Sequence, residues 1–317
     1  MKVFIKFLRA FADDQRGLAL VMVTAGMVAL LGFAALVTDI GLLVLNKERL
    51  SNAVDAAALA GAHELPVNPV LAGTTAVNYA LLNGCNSDTP LISADNSHPD
   101  SKITVTATKV VNFTFARVLG INSGAVSARA TARVAGLTSY IGAAPLAVPN
   151  QTFDFNTLYT LKQGSNSPDP SPLGSGTYGA LSLGGNGAKT YADNLKDGYG
   201  QKVSVGEIID TETGNISNPT VEAIDYRISK SSPSDTYTNF SPDCPRILII
   251  PVYQPVTIES GQVKSIKVVG FAAFFVEKVA GQGNENYIDG YFVKMVANGD
   301  SDFSQADYGL QGVKLVE

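Results

Sequence analysis

Residues 17–38 carry no charge and no proline. No other stretch limits so sharply what this chain can fold into. As a helix rising about 1.5 Å per residue they reach roughly 33 Å, enough to cross a hydrocarbon core of about 30 Å. A soluble helix of that length shows a polar face, and here only scattered threonines interrupt the apolar surface. A cleaved signal peptide has a shorter apolar region, about 7–15 residues, ending in a small-x-small site. This run is longer, and the polar residues 46–52 continue a helical pattern instead of opening a cleavage loop. The sequence therefore predicts an uncleaved membrane span over residues 17–45, with Gly17 at its inner end and Leu45 at its outer end.

The flanks orient the span. Lys2, Lys6, Arg9 and Arg16 precede it, and Lys47 and Arg49 follow it. Lys and Arg set topology while Asp13 and Asp14 count for little, so residues 1–16 are expected in the cytoplasm and the bulk of the chain outside it. With 16% charged residues and a net charge of -5, the composition lacks the clustered cations of a nucleic-acid binder. Cys85 and Cys244 form an even pair in an exported chain, which makes them a candidate disulfide. The alternative is two separate buried thiols behaving as small apolar side chains.

Beyond the span, residues 46–65 hold alanine in abundance and no helix breaker before Pro66, so the helix continues to about His63. Ala53, Ala57, Ala60 and Gly61 form a smooth small-residue face suited to close packing, either with another protein or within the same domain. Inside the span, Ala25, Gly26, Ala29 and Gly32 offer weaker small surfaces for helix pairing. Asp39 is the first charge after the apolar run, and its place fits either the outer membrane boundary or a partner contact. A second helix is expected over residues 70–82, then a polar loop over 86–100. Period-two alternation predicts strands at Ile103, Val105 and Ala107 and again at Val126, Ala128, Ala130, Ala132 and Val134. Between them residues 113–119 read as a short helix stopped by Gly120.

The apolar helix, Asp39-Ile40-Gly41 at its outer end and the run Arg49-Leu-Ser-Asn-Ala-Val-Asp-Ala-Ala-Ala-Leu-Ala-Gly-Ala62 resemble the N-terminal region of TadG-like and TadE/TadG-like proteins. These belong to bacterial Tad loci, which assemble Flp-type pili. The resemblance is strong over the first 65 residues or so and weaker through the strands that follow. It implies a non-enzymatic, membrane-anchored component of pilus assembly or associated secretion, held in the inner membrane and working with other Tad proteins. Self-association through the anchor helix is a further expectation. No Asp-x-Ser-x-Ser motif marks the von Willebrand A domain that some larger members carry.

Residues 143–149 read as the entry to a second domain. Strands are expected at 158–162, 179–183, 246–251, 264–279 and 287–296, with short helices at 190–195 and 221–227. The run Ile247-Leu-Ile-Ile-Pro-Val-Tyr253 is apolar on both faces, which suits a central strand. The fold class predicted is thus α+β. A transmembrane helix extends into a small α+β domain over residues 46–138, and a β-rich domain follows over 139–317.

The sequence carries no pattern for a catalytic centre, a metal site or a cofactor. The Gly-rich residues 184–190 fail as a phosphate loop, because Leu183 and Ala188 stand where glycines are needed. With His63 and His98 the only histidines, no Ser/His/Asp set or HExxH can be drawn. Asp210, Glu212 and Asn215, and likewise Asn298, Asp300 and Asp302, read as solvated turns ahead of calcium loops. Two other functions stay open on the sequence. One is an exported ligand-binding or hydrolytic module tethered to the membrane. The other is a minor pseudopilin processed after Gly17, although Met22 stands where such substrates carry Glu.

Overall fold

The computed structural model describes residues 15–85, 91–98, 102–161, 179–212, 214, 216–280 and 287–316. The chain divides into two compact units that interleave along the sequence. The first is built from the described residues of Met1–Ala57, Val77–Ala94 and Val105–Ala130, and the second from those of Ala58–Ala76, Asp95–Thr104 and Thr131–Glu317.

Helix α1 runs unbroken over Gln15–Glu64, and α2 over Pro69–Leu82, as the apolar run, the alanines and the placing of Pro66 predict. Within the first unit the large apolar side chains of α1 between Leu20 and Leu36 stand exposed, as a helix meant for lipid requires. From Ala35 a covered stripe begins: Ala35, Leu42, Leu43 and Asn46 are half-buried, and Asp39 and Leu50 are buried. The spacing is that of one helical face. Strand β1 (Leu91–His98) is followed by β2 (Lys102–Asn112), a single 3-10 turn at Ala116–Leu119, and β3 (Ser123–Leu137). The three strands lie side by side in chain order. Alternate residues are buried over Ile103, Val105 and Ala107 of β2 and over Ala128, Ala130, Ala132 and Val134 of β3, while Val126 is half-buried.

The second unit is layered. Short strands β4 (Ser139–Ile141), β5 (Val148–Pro149) and β6 (Leu158–Thr160) lead to helix α3 (Ala188–Asp197), then β7 (Lys202–Ser204), β8 (Ile208–Asp210) and helix α4 (Ser217–Lys230). The long strands β9 (Ile247–Glu259) and β10 (Gln262–Ala280) form the centre, flanked by β11 (Tyr287–Val293) in a sheet ordered β5-β9-β10-β11-β6. Its two faces carry two cores. Leu248, Ile250, Phe274 and Phe292 pack with Tyr191 and Leu195 of α3 and Ala223 and Ile224 of α4. Ile249, Tyr253, Phe271 and Phe275 pack on the other side with Leu137 and Leu310. Burial on both faces is what the uninterrupted apolar run in β9 implied. Strands β12 (Met295–Val296), β13 (Ser301–Asp302) and β14 (Leu310–Val316) complete the chain, with β14 antiparallel to the second half of β3.

The fold class is α+β with an N-terminal membrane-type helix, as expected, but several elements differ from the sequence reading. The polar loop expected over 86–100 contains β1; as the outermost strand of its sheet, it completes its hydrogen bonds through backbone alone and needs no apolar pattern. The helix expected at 113–119 is reduced to one 3-10 turn. Residues 179–183 form isolated bridges instead of a strand, Leu146 to Ala180 and Leu181 to Thr211. Strand β9 continues past Pro251 and Pro255, residues that normally end a strand. Its outer neighbour β5 meets only Val252 and Tyr253, and a proline is tolerated beside so open an edge because it breaks no ladder there. The strand expected at 287–296 divides at Lys294 into β11 and β12.

Candidate functional site: the end of the apolar run in the first helix

Asp39 sits one residue beyond the apolar run and is only 4% exposed. Its carboxylate is aimed at the segment leading into the 3-10 turn. Oδ1 accepts the backbone N–H of Thr114 (2.8 Å), and Oδ2 accepts those of Phe115 (3.0 Å) and Ala116 (2.6 Å). These are the N–H groups that a turn leaves without internal acceptors, and a carboxylate satisfies them with charge-assisted bonds. One turn further along α1, the backbone of Gly124 comes up to the helix: a Cβ there would lie 3.3 Å from Leu43 Cδ2 and 2.8 Å from Phe113 Cζ. Lys47 Nζ donates to the Ser127 carbonyl. Residues 113–127 are therefore fastened along α1 from Asp39 to Lys47. Gly41, two residues on, is exposed, and a Cβ there would meet nothing within 4 Å; packing does not explain a glycine here.

Above this seam the first unit holds a cleft of ≈ 440 Å³ lined by Asn46, Arg49, Leu50, Asn52, Asn83 and Lys109, with Gly84 at its rim. Two cations and three amides face it. Asn46 Nδ2 and Asn83 Nδ2 are already committed to the carbonyls of Leu42 and Tyr79, each at 2.8 Å.

The expected small-residue face is largely covered. Ala53 and Ala57 are buried, as are Ala58, Gly61 and Ala62, and Ala60 is half-buried. At Gly61 the approach is closest: a Cβ there would stand 2.7 Å from Ile103 Cδ1, 2.8 Å from the Ala72 carbonyl oxygen and 2.9 Å from Ala76 Cβ. The face is thus used for packing within the chain. Gly26 and Gly32 of the span have nothing within 4 Å of a Cβ position.

Residues 17–64 match the family model described as Putative Flp pilus-assembly TadE/G-like. The matched Tad-like segment coincides with α1, from the start of the apolar run to the helix end, and holds both Asp39 and the buried alanines. Residues beyond 64 lie outside the match. Comparison with curated proteins and with solved structures finds no match. One N-terminal apolar helix with this likeness fits a single-pass membrane protein of a pilus system.

The other residues singled out in the sequence have ordinary structural uses. Cys85 and Cys244 are both buried, free thiols, and Cys244 Sγ donates to Asp235 Oδ2 (3.2 Å). Burial pushes both thiols above their usual range, which disfavours the reactive thiolate. The Gly-rich residues 184–190 lead into α3, where Glu212 Oε1 accepts the Gly187 N–H (2.9 Å). A carboxylate from the chain itself thus occupies that helix end. Asp300 Oδ2 accepts Ser139 Oγ (2.7 Å) and Lys202 Nζ (3.2 Å), and Asp302 Oδ1 accepts the Ser304 N–H (2.8 Å). Asn215 lies outside the described residues. Among the described residues no group of three or more His, Cys, Asp or Glu is placed to hold a metal ion.

Sequence reasoning singled out Asp39 but not what it holds. Its acceptors' donors lie 75–77 residues away and are backbone groups, which carry no side-chain signature.

Proposed function

We propose that this protein is a non-enzymatic, inner-membrane component of Tad/Flp-type pilus assembly or its associated secretion machinery, with residues 1–16 in the cytoplasm and the bulk of the chain outside. The observation that carries this reading is the match of residues 17–64 to the Tad-like family model, on a helix whose Asp39, directly after the apolar run, binds the backbone of residues 114–116. In this reading the Asp39 seam keeps residues 113–127 close to the bilayer crossed by α1.

The small-residue face, which the sequence offered either to other assembly proteins or to its own domain, is largely covered within the chain. The surfaces left for them are the exposed small residues of the span, Gly26 and Gly32 among them, and the cleft walled by Arg49, Asn52 and Lys109. In lipid, close backbone approach at small residues favours helix pairing. The test is a chromosomal deletion, complemented with the full chain or with Gly26→Leu/Gly32→Leu. Loss of surface pili on deletion, restored by the full chain, is the expected result. Normal piliation in the deletion strain would end the proposal.

A further inference from the structure

We infer that the turn over residues 115–121 is a second membrane contact, an apolar foot that rests in the headgroup layer of the bilayer crossed by α1. Among the described side chains of this short turn three are apolar and exposed: Phe115 is 46% exposed, Val118 89% and Ile121 54%. The turn is compact. Gly120 takes a left-handed conformation (φ 82°), and its N–H donates to the Arg117 carbonyl while that of Ile121 donates to Ala116. A solvent-facing turn of this kind is normally built from polar residues.

Its height is fixed by α1. The carboxylate of Asp39 binds Thr114, Phe115 and Ala116, and Asp39 directly follows the apolar run. If that run fills a hydrocarbon core of about 30 Å, the headgroup layer above it is roughly 5–7 Å thick. The rise from Asp39 to Leu43 is about 6 Å, so the segment fastened between these two residues stands in that layer. Ile40 of α1 is exposed in the same height range, and Val44 and Leu45 are exposed just above it. Arg117, exposed between Phe115 and Val118, sits where a guanidinium meets lipid phosphates. The occupant of this surface is therefore lipid. The foot would stop the domain from tilting on a single helix, and it would do so without any partner protein.

The inference rests on reading α1 as a membrane span, and the test separates the two. The natural chain has no tryptophan, so each introduced Trp reports alone. Full-length V118W and F115W, each reconstituted in vesicles of phosphatidylcholine and phosphatidylglycerol, are compared with L31W in the span and I258W in the second unit. Lipids brominated high on the acyl chain should quench V118W and F115W, with blue-shifted emission, and should leave I258W unchanged. If L31W is quenched while V118W and F115W are not, the foot does not touch lipid and the inference is overturned. Blue-shifted but unquenched emission at residue 118 assigns the surface to protein, a second copy included, and overturns it equally. An unquenched L31W removes the span itself.

Discussion

Replacing Gly61 with alanine sets two effects of known size against each other. In a helix interior Gly→Ala ordinarily stabilises by about 0.5–1 kcal/mol, because alanine has less backbone freedom to lose on folding. At Gly61 the new methyl group meets Ile103 Cδ1 at 2.7 Å, the Ala72 carbonyl oxygen at 2.8 Å and Ala76 Cβ at 2.9 Å. The isoleucine tip can turn aside at little cost. The carbonyl and the alanine Cβ belong to α2 and move only if that helix moves. Overpacking of this kind costs about 1–3 kcal/mol, so the clash outweighs the propensity gain and G61A should be less stable by roughly 1–2 kcal/mol. Gly73 is the control. It also lies in a helix, and a Cβ there meets nothing within 4 Å, so G73A should be more stable by about 0.5–1 kcal/mol.

Urea unfolding of the full chain in detergent micelles, followed by circular dichroism, reads both as midpoint shifts of opposite sign. A G61A midpoint at or above that of wild type, with G73A raised as expected, would falsify the claim that α1 and α2 are in backbone contact at this point. If both variants are raised, propensity alone governs the two positions and the small-residue face has room to spare.

Three further outcomes follow from named contacts. Asp39→Ala leaves three backbone N–H groups without their acceptor and should cost about 1–3 kcal/mol; limited proteolysis of the reconstituted protein should then cut within residues 113–121, and unchanged resistance there rejects the seam. The Ser139 hydroxyl, then the Lys202 ammonium, hold the Asp300 carboxyl below its ordinary value. A lowered folded-state pKa contributes stability that is present above the unfolded value and is lost as pH falls through the folded one; the urea-midpoint gap between wild type and D300N should therefore close as pH is lowered from about 5 to 3, and a gap constant over that range contradicts the assignment. On spheroplasts, externally added protease should digest the chain beyond residue 50, whereas full protection of that region would reverse the topology.

What the sequence made legible depended on whether a pattern or a distant pairing carried the information. The span, the continuation of α1 to its end and the alternation in β2 and β3 are local signals, since each residue's fate follows from its neighbours three, four or two positions away. The doubly buried β9 was legible for the same reason, because its run of Ile, Leu and Val contains no polar phase. β1 and β14 were not legible. Their residues, Leu91-Ile-Ser-Ala-Asp-Asn-Ser-His98 and Leu310-Gln-Gly-Val-Lys-Leu-Val316, show little alternation, and they become strands because an edge stands open beside β2 and β3. The same limit applies at the site. Asp39 was conspicuous as a charge at the end of an apolar helix, yet both readings it invited, a boundary residue or a contact with another protein, looked outward along the membrane. The structure adds what neither reading named, bonds from its carboxylate to the backbone of its own chain. For the alanine face the sequence left another protein and its own domain both open, and a surface able to approach lies in α2, joined to α1 by residues 65–68. A short connection places that surface at very high effective concentration. A flat helical face beside such a connection is therefore better read first as an intramolecular seam, and surfaces for other proteins are better sought where the covered stripe ends.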